Sequence, residues 1–465
     1  MNKFTGALLI IGTLLSVLIG LLTDWAPRPE WVTDTIVLIS LGVLTLASTG
    51  VSYLLLRDSD LDNPPNEPTT PTTDQNKGSP YIVGSPIKEP THFFGRKAEI
   101  ARFFGNLNSP QIDSVQVLGI RRAGKTSFLR YVSHPDVVRE NINDADNTLL
   151  IYIDLQDGVK TAADFYLELA EGINRTLPKG KRLVIPLGNK LFPHLLWRIS
   201  PKMANLFFDE PLMLTRYDLV KLLDSPQLAH YRLIFLLDEF ERLWEDARPE
   251  DAPFDANFFT GLRSLVNTYL GRLAWVTSSY TDLYRLSEEL GKEEKTSPFF
   301  NIFDPDPLVL GGLTAQEAND LIRKPAQEQD INLNAKELSS IKELAGPLPF
   351  FLQAAGKAWF EARQRGQLDF KQIKGQVKQQ LASAMRYNFD WYWRHFEEDE
   401  RKLLKAIALK VPNEVRFYQQ KHGNAVLNDL LRYGLITRKG NKYLIASEVF
   451  AEWIRRADLR VTGRN

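Results

Sequence analysis

The sequence predicts an α/β body built on a doubly wound parallel sheet, and three observations carry that reading. Several apolar runs alternate with helical segments, one run feeds a glycine-rich turn and then an amphipathic stretch, and only residues 1–57 break with the pattern of a soluble chain. With 465 residues, 44% hydrophobic and 25% charged, there is room for about three domains. Lys plus Arg number 57 and so do Asp plus Glu, so no whole-molecule field draws the protein toward nucleic acid or anionic lipid. The lack of cysteine excludes disulfides, thiolate metal sites and a cysteine nucleophile, and the six histidines show no paired ligand spacing.

In chain order, Phe4 to Thr23 is uncharged and makes about 30 Å of helix, one hydrocarbon thickness. A second uncharged run, Thr35 to Leu56, follows a connector whose Trp25 and Trp31 sit where interfacial aromatics are expected. Two transmembrane helices forming a hairpin over 1–57 are the expectation. A cleaved signal peptide competes for the first run, favoured by Lys3 but disfavoured by the long apolar stretch and the lack of a small-x-small site before Asp24. Residues 58–80, rich in Pro, Thr, Asn and Asp, cannot bury enough to fold and read as a disordered spacer.

Around Val115 the run VQVL enters Gly119-Ile120-Arg121-Arg122-Ala123-Gly124-Lys125-Thr126, followed by SFLRYV. This is G-x-x-x-x-G-K-T in a strand-loop-helix setting. The glycines let backbone N–H groups curl toward phosphate oxygens, Lys125 adds charge at the β/γ position, and Thr126 offers a hydroxyl to Mg²⁺; Gly119, Arg121, Arg122, Ala123, Gly124 and Ser127 complete the expected nucleotide contacts. Arg121 and Arg122 either close on phosphates, meet a neighbouring subunit, or stay solvated. The buried-strand run ending in Asp238-Glu239 supplies a metal-side carboxylate at Asp238 and a base for the attacking water at Glu239. Leu149–Asp154, Leu273–Ser279 and Leu308–Leu310 read as further parallel strands, with Thr277 or Ser278 either aimed at the γ-phosphate or forming an ordinary strand-end turn. ATP and Mg²⁺ are the expected ligands.

Taken together, these markers resemble the AAA-like archaeal ATPases and STAND signalling NTPases. His92-Phe93-Phe94-Gly95-Arg96-Lys97-Ala98-Glu99-Ile100 is similar to their opening segment, Leu310 to Ala318 to the entry of their helical lid, and Gly346-Pro347-Leu348-Pro349 to the lid's G-x-P element. The resemblance implies that Phe94, Gly95 and Arg96 line the adenine end of the pocket and that Pro349 contacts the base. It also implies a P-loop NTPase domain over 81–310, a lid over 311–395 and, from the helix, helix, hairpin, helix pattern, a winged helix over 396–465. A slow ATPase switch follows, tethered to a membrane with its body in the cytoplasm, with a homo-oligomer as one expected assembly. DNA reading through Arg432, Arg438, Lys439 and Lys442 is less favoured, because the candidate recognition helix carries one cation and an acid. A non-hydrolysing scaffold is the third alternative. The aromatic and basic stretch from Lys190 to Phe208 reads as a core element or as a contact surface.

Overall fold

A computed structural model describes residues 78–156, 159–178, 181, 214–245, 254–284, 298–366 and 368–461. The expected hairpin, most of the spacer and the Lys190 to Phe208 stretch lie outside the described residues. Among the described residues, no helix is long and apolar enough to cross a membrane.

Five parallel strands, β1 (Val115–Leu118), β2 (Thr148–Asp154), β3 (Arg232–Asp238), β4 (Leu273–Ser279) and β5 (Leu308–Val309), form a sheet in the order β2-β3-β4-β1-β5. Their runs are apolar on both faces because both faces are covered. On one face Val117, Ile234, Leu236 and Val276 meet Phe128 and Leu129 of helix α2 (Lys125–Val132), which follows α1 (Lys97–Leu107) and precedes α3 (Pro135–Asn141). On the other, Ile151, Phe235 and Trp275 meet α4 (Ala162–Thr176), α5 (Arg216–Leu223) and α6 (Ala256–Thr268). The doubly wound α/β expectation therefore holds.

Four helices follow the sheet: α7 (Ala315–Gln327), α8 (Ala335–Ala345), α9 (Pro349–Arg365) and the long α10 (Phe370–His395). Next come α11 (Glu398–Leu409), α12 (Pro412–His422) and α13 (Ala425–Arg432), an antiparallel hairpin of β6 (Ile436–Lys439) and β7 (Lys442–Ile445), and α14 (Glu448–Val461). The apolar core on the α2 face of the sheet runs without a break through Leu344, Phe351, Trp359 and Phe389 to Leu404, Leu427 and Phe450. One cluster thus joins the sheet to both helical layers.

Two joints fix these layers. At the first, Glu317 closes a capping box on α7 by accepting from the Thr314 N–H and hydroxyl, and it also accepts the Lys97 N–H at the start of α1, 3.3 Å away. Burial opposes the charge, yet these donors hold the Glu317 carboxyl below its ordinary value. The two family-like segments, far apart in sequence, therefore meet through one carboxylate. At the second joint, the Arg432 carbonyl lies so close to Gly311 that a Cβ there would come within 1.7 Å of it, while Gly434 packs on Gly312. Arg432 also donates to Asp306 at 3.0 Å, and the Ser447 hydroxyl donates to the Leu344 carbonyl at 2.7 Å.

Gly311→Ala should push the α13–β6 corner off this junction and cost about 2 kcal/mol, as overpacking does. Thermal unfolding checks it; an unchanged midpoint would contradict the packing described. Glu317→Ala should cost about 1 kcal/mol near neutral pH. Because the native carboxyl is held low, its contribution is present above the ordinary glutamate pKa and is lost as pH falls through the lowered one. The stability gap between wild type and variant, read by urea unfolding, should narrow below about pH 4.

Candidate functional site

At the end of β1 the chain must turn sharply while staying close to its neighbours. The Gly119 N–H donates to the Ser279 carbonyl at 3.2 Å, and a Cβ on Gly119 would sit 2.9 Å from the Leu310 carbonyl. Arg122 (φ 68) and Gly124 (φ 96) take left-handed conformations on either side of buried Ala123, which curls the loop into a concave run of amides. Helix α2 then starts at Lys125 with no side chain capping it, so its first-turn N–H groups are left for whatever enters the cleft. Lys125 Nζ arches back over the loop and donates to the Gly119 carbonyl at 2.8 Å.

The loop forms one wall of a cleft of about 440 Å³. Asp238 and Glu239 stand opposite, at the tip of β3, while Phe94 and Pro349 line the same space. Asp238 is 1% exposed, and both its oxygens are engaged: Oδ1 accepts from the Ser278 hydroxyl at 2.8 Å and the Glu239 N–H at 3.1 Å, and Oδ2 from the Tyr152 hydroxyl at 3.0 Å. Glu239 leaves the strand with φ 53, a left-handed turn that costs a non-glycine residue energy, and its carboxylate accepts from Arg242 Nε at 3.3 Å. Strain of this kind persists only where surrounding structure enforces it.

The two loop arginines have separate fates. Burial, and then the neighbouring charge of Arg121, lower the Arg122 pKa, and its guanidinium lies over the Phe350 ring at 4.5 Å. An anion in the cleft would relieve that repulsion. Arg121 instead lies 5.2 Å from the Tyr387 ring and 5.7 Å from the Trp391 ring, so it packs on α10 of its own chain. The α10 residue Tyr392 donates its hydroxyl to the Arg121 carbonyl at 2.6 Å.

The cleft thus brings together Phe94, Arg96, Arg121, Arg122, Ala123, Gly124, Lys125, Thr126, Ser127, Asp238, Glu239 and Pro349. Other expected residues fall elsewhere. Thr277 is a correction: period-two alternation puts it with Leu273 and Trp275 on the α4–α6 face, fully buried, while Ser278 shares the α2 face with Ala274, Val276 and Asp238. Neither lines the cleft, and Ser278 reaches it only through Asp238. Gly119 and Gly95 shape the backbone without lining the space; a Cβ on Gly95 (φ 81) would meet Glu317 at 2.9 Å. Arg96 borders the cleft, but its buried guanidinium is spent on the carbonyls of Ala123 (3.1 Å) and Gly311 (2.6 Å) and on Glu99. The Ser127 hydroxyl is likewise engaged, accepting the Ile87 N–H at 3.0 Å.

Several lining groups went unforeseen. The stretch from Ile82 to Ile87 crosses the cleft, pinned by Ser127 and by Gln353, whose Oε1 accepts the Ile82 N–H at 3.1 Å. It falls at the start of the expected NTPase domain, and no motif in it marks it as a site segment. Arg130, on α2, Asp154, which ends β2, and Gln156, just past it, also border the space.

A family model described as Novel STAND NTPase 2 matches residues 221–413, from α5 into the start of α12. No curated protein matches the chain. Among solved structures, a Walker-type ATPase of Pyrococcus abyssi is 18% identical with a TM-score of 0.51, over 80% of this chain and 99% of that one. The ORC2 protein of Aeropyrum pernix, solved as ADPNP-ADP complexes, is 15% identical with a TM-score of 0.43, over 83% of this chain and 98% of that one. The RuvB Holliday junction branch migration motor of Thermotoga maritima is 13% identical with a TM-score of 0.36, over 79% and 97%. The Pyrococcus likeness concerns the fold, and with the phosphate loop and the family match it makes this chain a P-loop NTPase.

Proposed function

We propose that the protein is a membrane-anchored, slowly hydrolysing ATP switch of the STAND type. The observation that carries this is the convergence of the loop from Arg121 to Ser127 with Asp238 and Glu239 across one cleft, bordered by Phe94 and Pro349. The residues fit ATP·Mg²⁺: an uncapped helix start, a curled amide run that only glycine completes at Gly124, and a buried carboxylate held by three donors. Lys125 and the α2 N–H groups would hold the β- and γ-phosphates, Thr126 and Asp238 would hold the metal, and Phe94 and Pro349 would border the base. Bound Mg²⁺ would neutralise charge on the phosphates. Glu239 orients the attacking water and takes its proton, and Arg242 restrains Glu239 until then. Slow turnover suits a switch, which needs long-lived states.

Output runs through α10. Tyr392 grips the Arg121 carbonyl and Arg121 stacks on the same helix, so any change in the phosphate loop is felt by an element that packs on α14, with Phe389 against Phe450 at 4.8 Å. We read residues 396–465 as a winged helix that moves with α10 and the two uncharged runs of 1–57 as a membrane tether, with the body in the cytoplasm because an ATP-dependent domain needs its nucleotide there. DNA reading is less favoured still on this geometry, because Arg432 is committed to Asp306.

Lys125→Ala should weaken binding of a fluorescent ATP analogue at least tenfold, while Glu239→Gln should bind it normally and slow phosphate release at least a hundredfold. Equal turnover in wild type and Glu239→Gln would remove the base; binding without release in wild type would leave a nucleotide-stabilised scaffold. Tyr392→Phe should keep ATP affinity within a few-fold but abolish nucleotide-dependent protection of α10–α14 amides from hydrogen exchange. Protection that persists in the variant would break the coupling route.

A further inference from the structure

The carboxylate at the tip of β3 is held from two neighbouring strands. Period-two alternation puts Leu150 and Tyr152 of β2, Leu236 and Asp238 of β3, and Val276 and Ser278 of β4 on the α2 side of the sheet. The register aligns Tyr152 with Leu236 and Leu237 with Thr277, so Tyr152 and Ser278 reach Asp238 from opposite sides. Each hydroxyl takes a different oxygen, Tyr152 donating to Oδ2 and Ser278 to Oδ1. Together they fix the plane of the carboxylate as well as its position. Arg130 adds a third constraint: from α2, the helix that begins in the phosphate loop, its guanidinium lies 4.6 Å above the Tyr152 ring.

We propose that Tyr152 is a positioning residue for the metal-side carboxylate, setting the orientation in which Asp238 meets a divalent cation and, through Arg130, linking that orientation to the phosphate-loop helix. The inference rests on reading the cleft as an ATP·Mg²⁺ site. The Tyr152 hydroxyl has one proton to give, and it donates that proton to Oδ2. Partners that orient a metal-holding carboxylate matter most when the metal is present. Nucleotide binding without metal, which leans on Lys125 and backbone amides, is untouched by such a partner.

The test is equilibrium binding of a fluorescent ATP analogue to the full-length protein, first in EDTA and then titrated with Mg²⁺, for wild type, Tyr152→Phe and Ser278→Ala. Phenylalanine keeps the ring beneath Arg130 and removes only the donor. For Tyr152→Phe the EDTA affinity should stay within twofold of wild type while the Mg²⁺ midpoint rises about tenfold, with Ser278→Ala shifted in the same direction. A Mg²⁺ midpoint equal to wild type in Tyr152→Phe overturns the assignment while leaving the nucleotide site standing. An equal loss of affinity with and without Mg²⁺ also overturns it, since that marks a distorted cleft. Wild-type protein that binds no analogue overturns the site reading itself and this assignment with it.

Discussion

Everything in the cleft depends on β4 lying between β1 and β3 in a parallel sheet. Parallel strands all end on the same edge, so the loop after β1 and the acids at the tip of β3 must face the same space, each one strand away from Ser278 on β4. The intervening strand also supplies the hydroxyl that steadies Asp238 and the carbonyl that accepts the Gly119 N–H. A change in strand order would part the lysine from the carboxylate.

Around that edge the rest of the chain acts as a clasp. Arg96, buried and with its guanidinium pKa lowered by that burial, ties the Ala123 carbonyl in the loop to the Gly311 carbonyl at the start of the helical layers. Glu317 ties α1 to α7, Tyr392 ties α10 to the loop, and the Arg432 carbonyl sits on Gly311. Each contact joins segments far apart in sequence, and three of the four touch the loop or the glycine pair beside it.

How legible this was in the sequence depended on the range of each signal. The loop from Gly119 to Thr126 and the run ending at Asp238-Glu239 are local patterns with one sensible geometry, and both occupy the cleft wall or its backbone as their chemistry demands. The choice between Thr277 and Ser278 turned on the phase of a period-two pattern, which becomes readable only once Trp275 and Val276 are assigned to opposite faces. Arg96 and Ser127 look like ligand-facing groups in a motif, yet their polar atoms are consumed by carbonyls and an amide of the fold itself. Tyr152, Arg130 and Tyr392 carry no motif at all; their partners are 86 residues away for Tyr152 and 271 for Tyr392, separations at which only the folded chain shows who meets whom.

The central claim is that Lys125 and Asp238 share one magnesium-bound triphosphate. The most direct measurement is a structure of the full-length protein determined with a non-hydrolysable ATP analogue and Mg²⁺. The β- and γ-phosphates are expected against Lys125 and the amides of α2, with the metal between Thr126 and Asp238. An analogue bound elsewhere, or an empty cleft at saturating nucleotide, would contradict it.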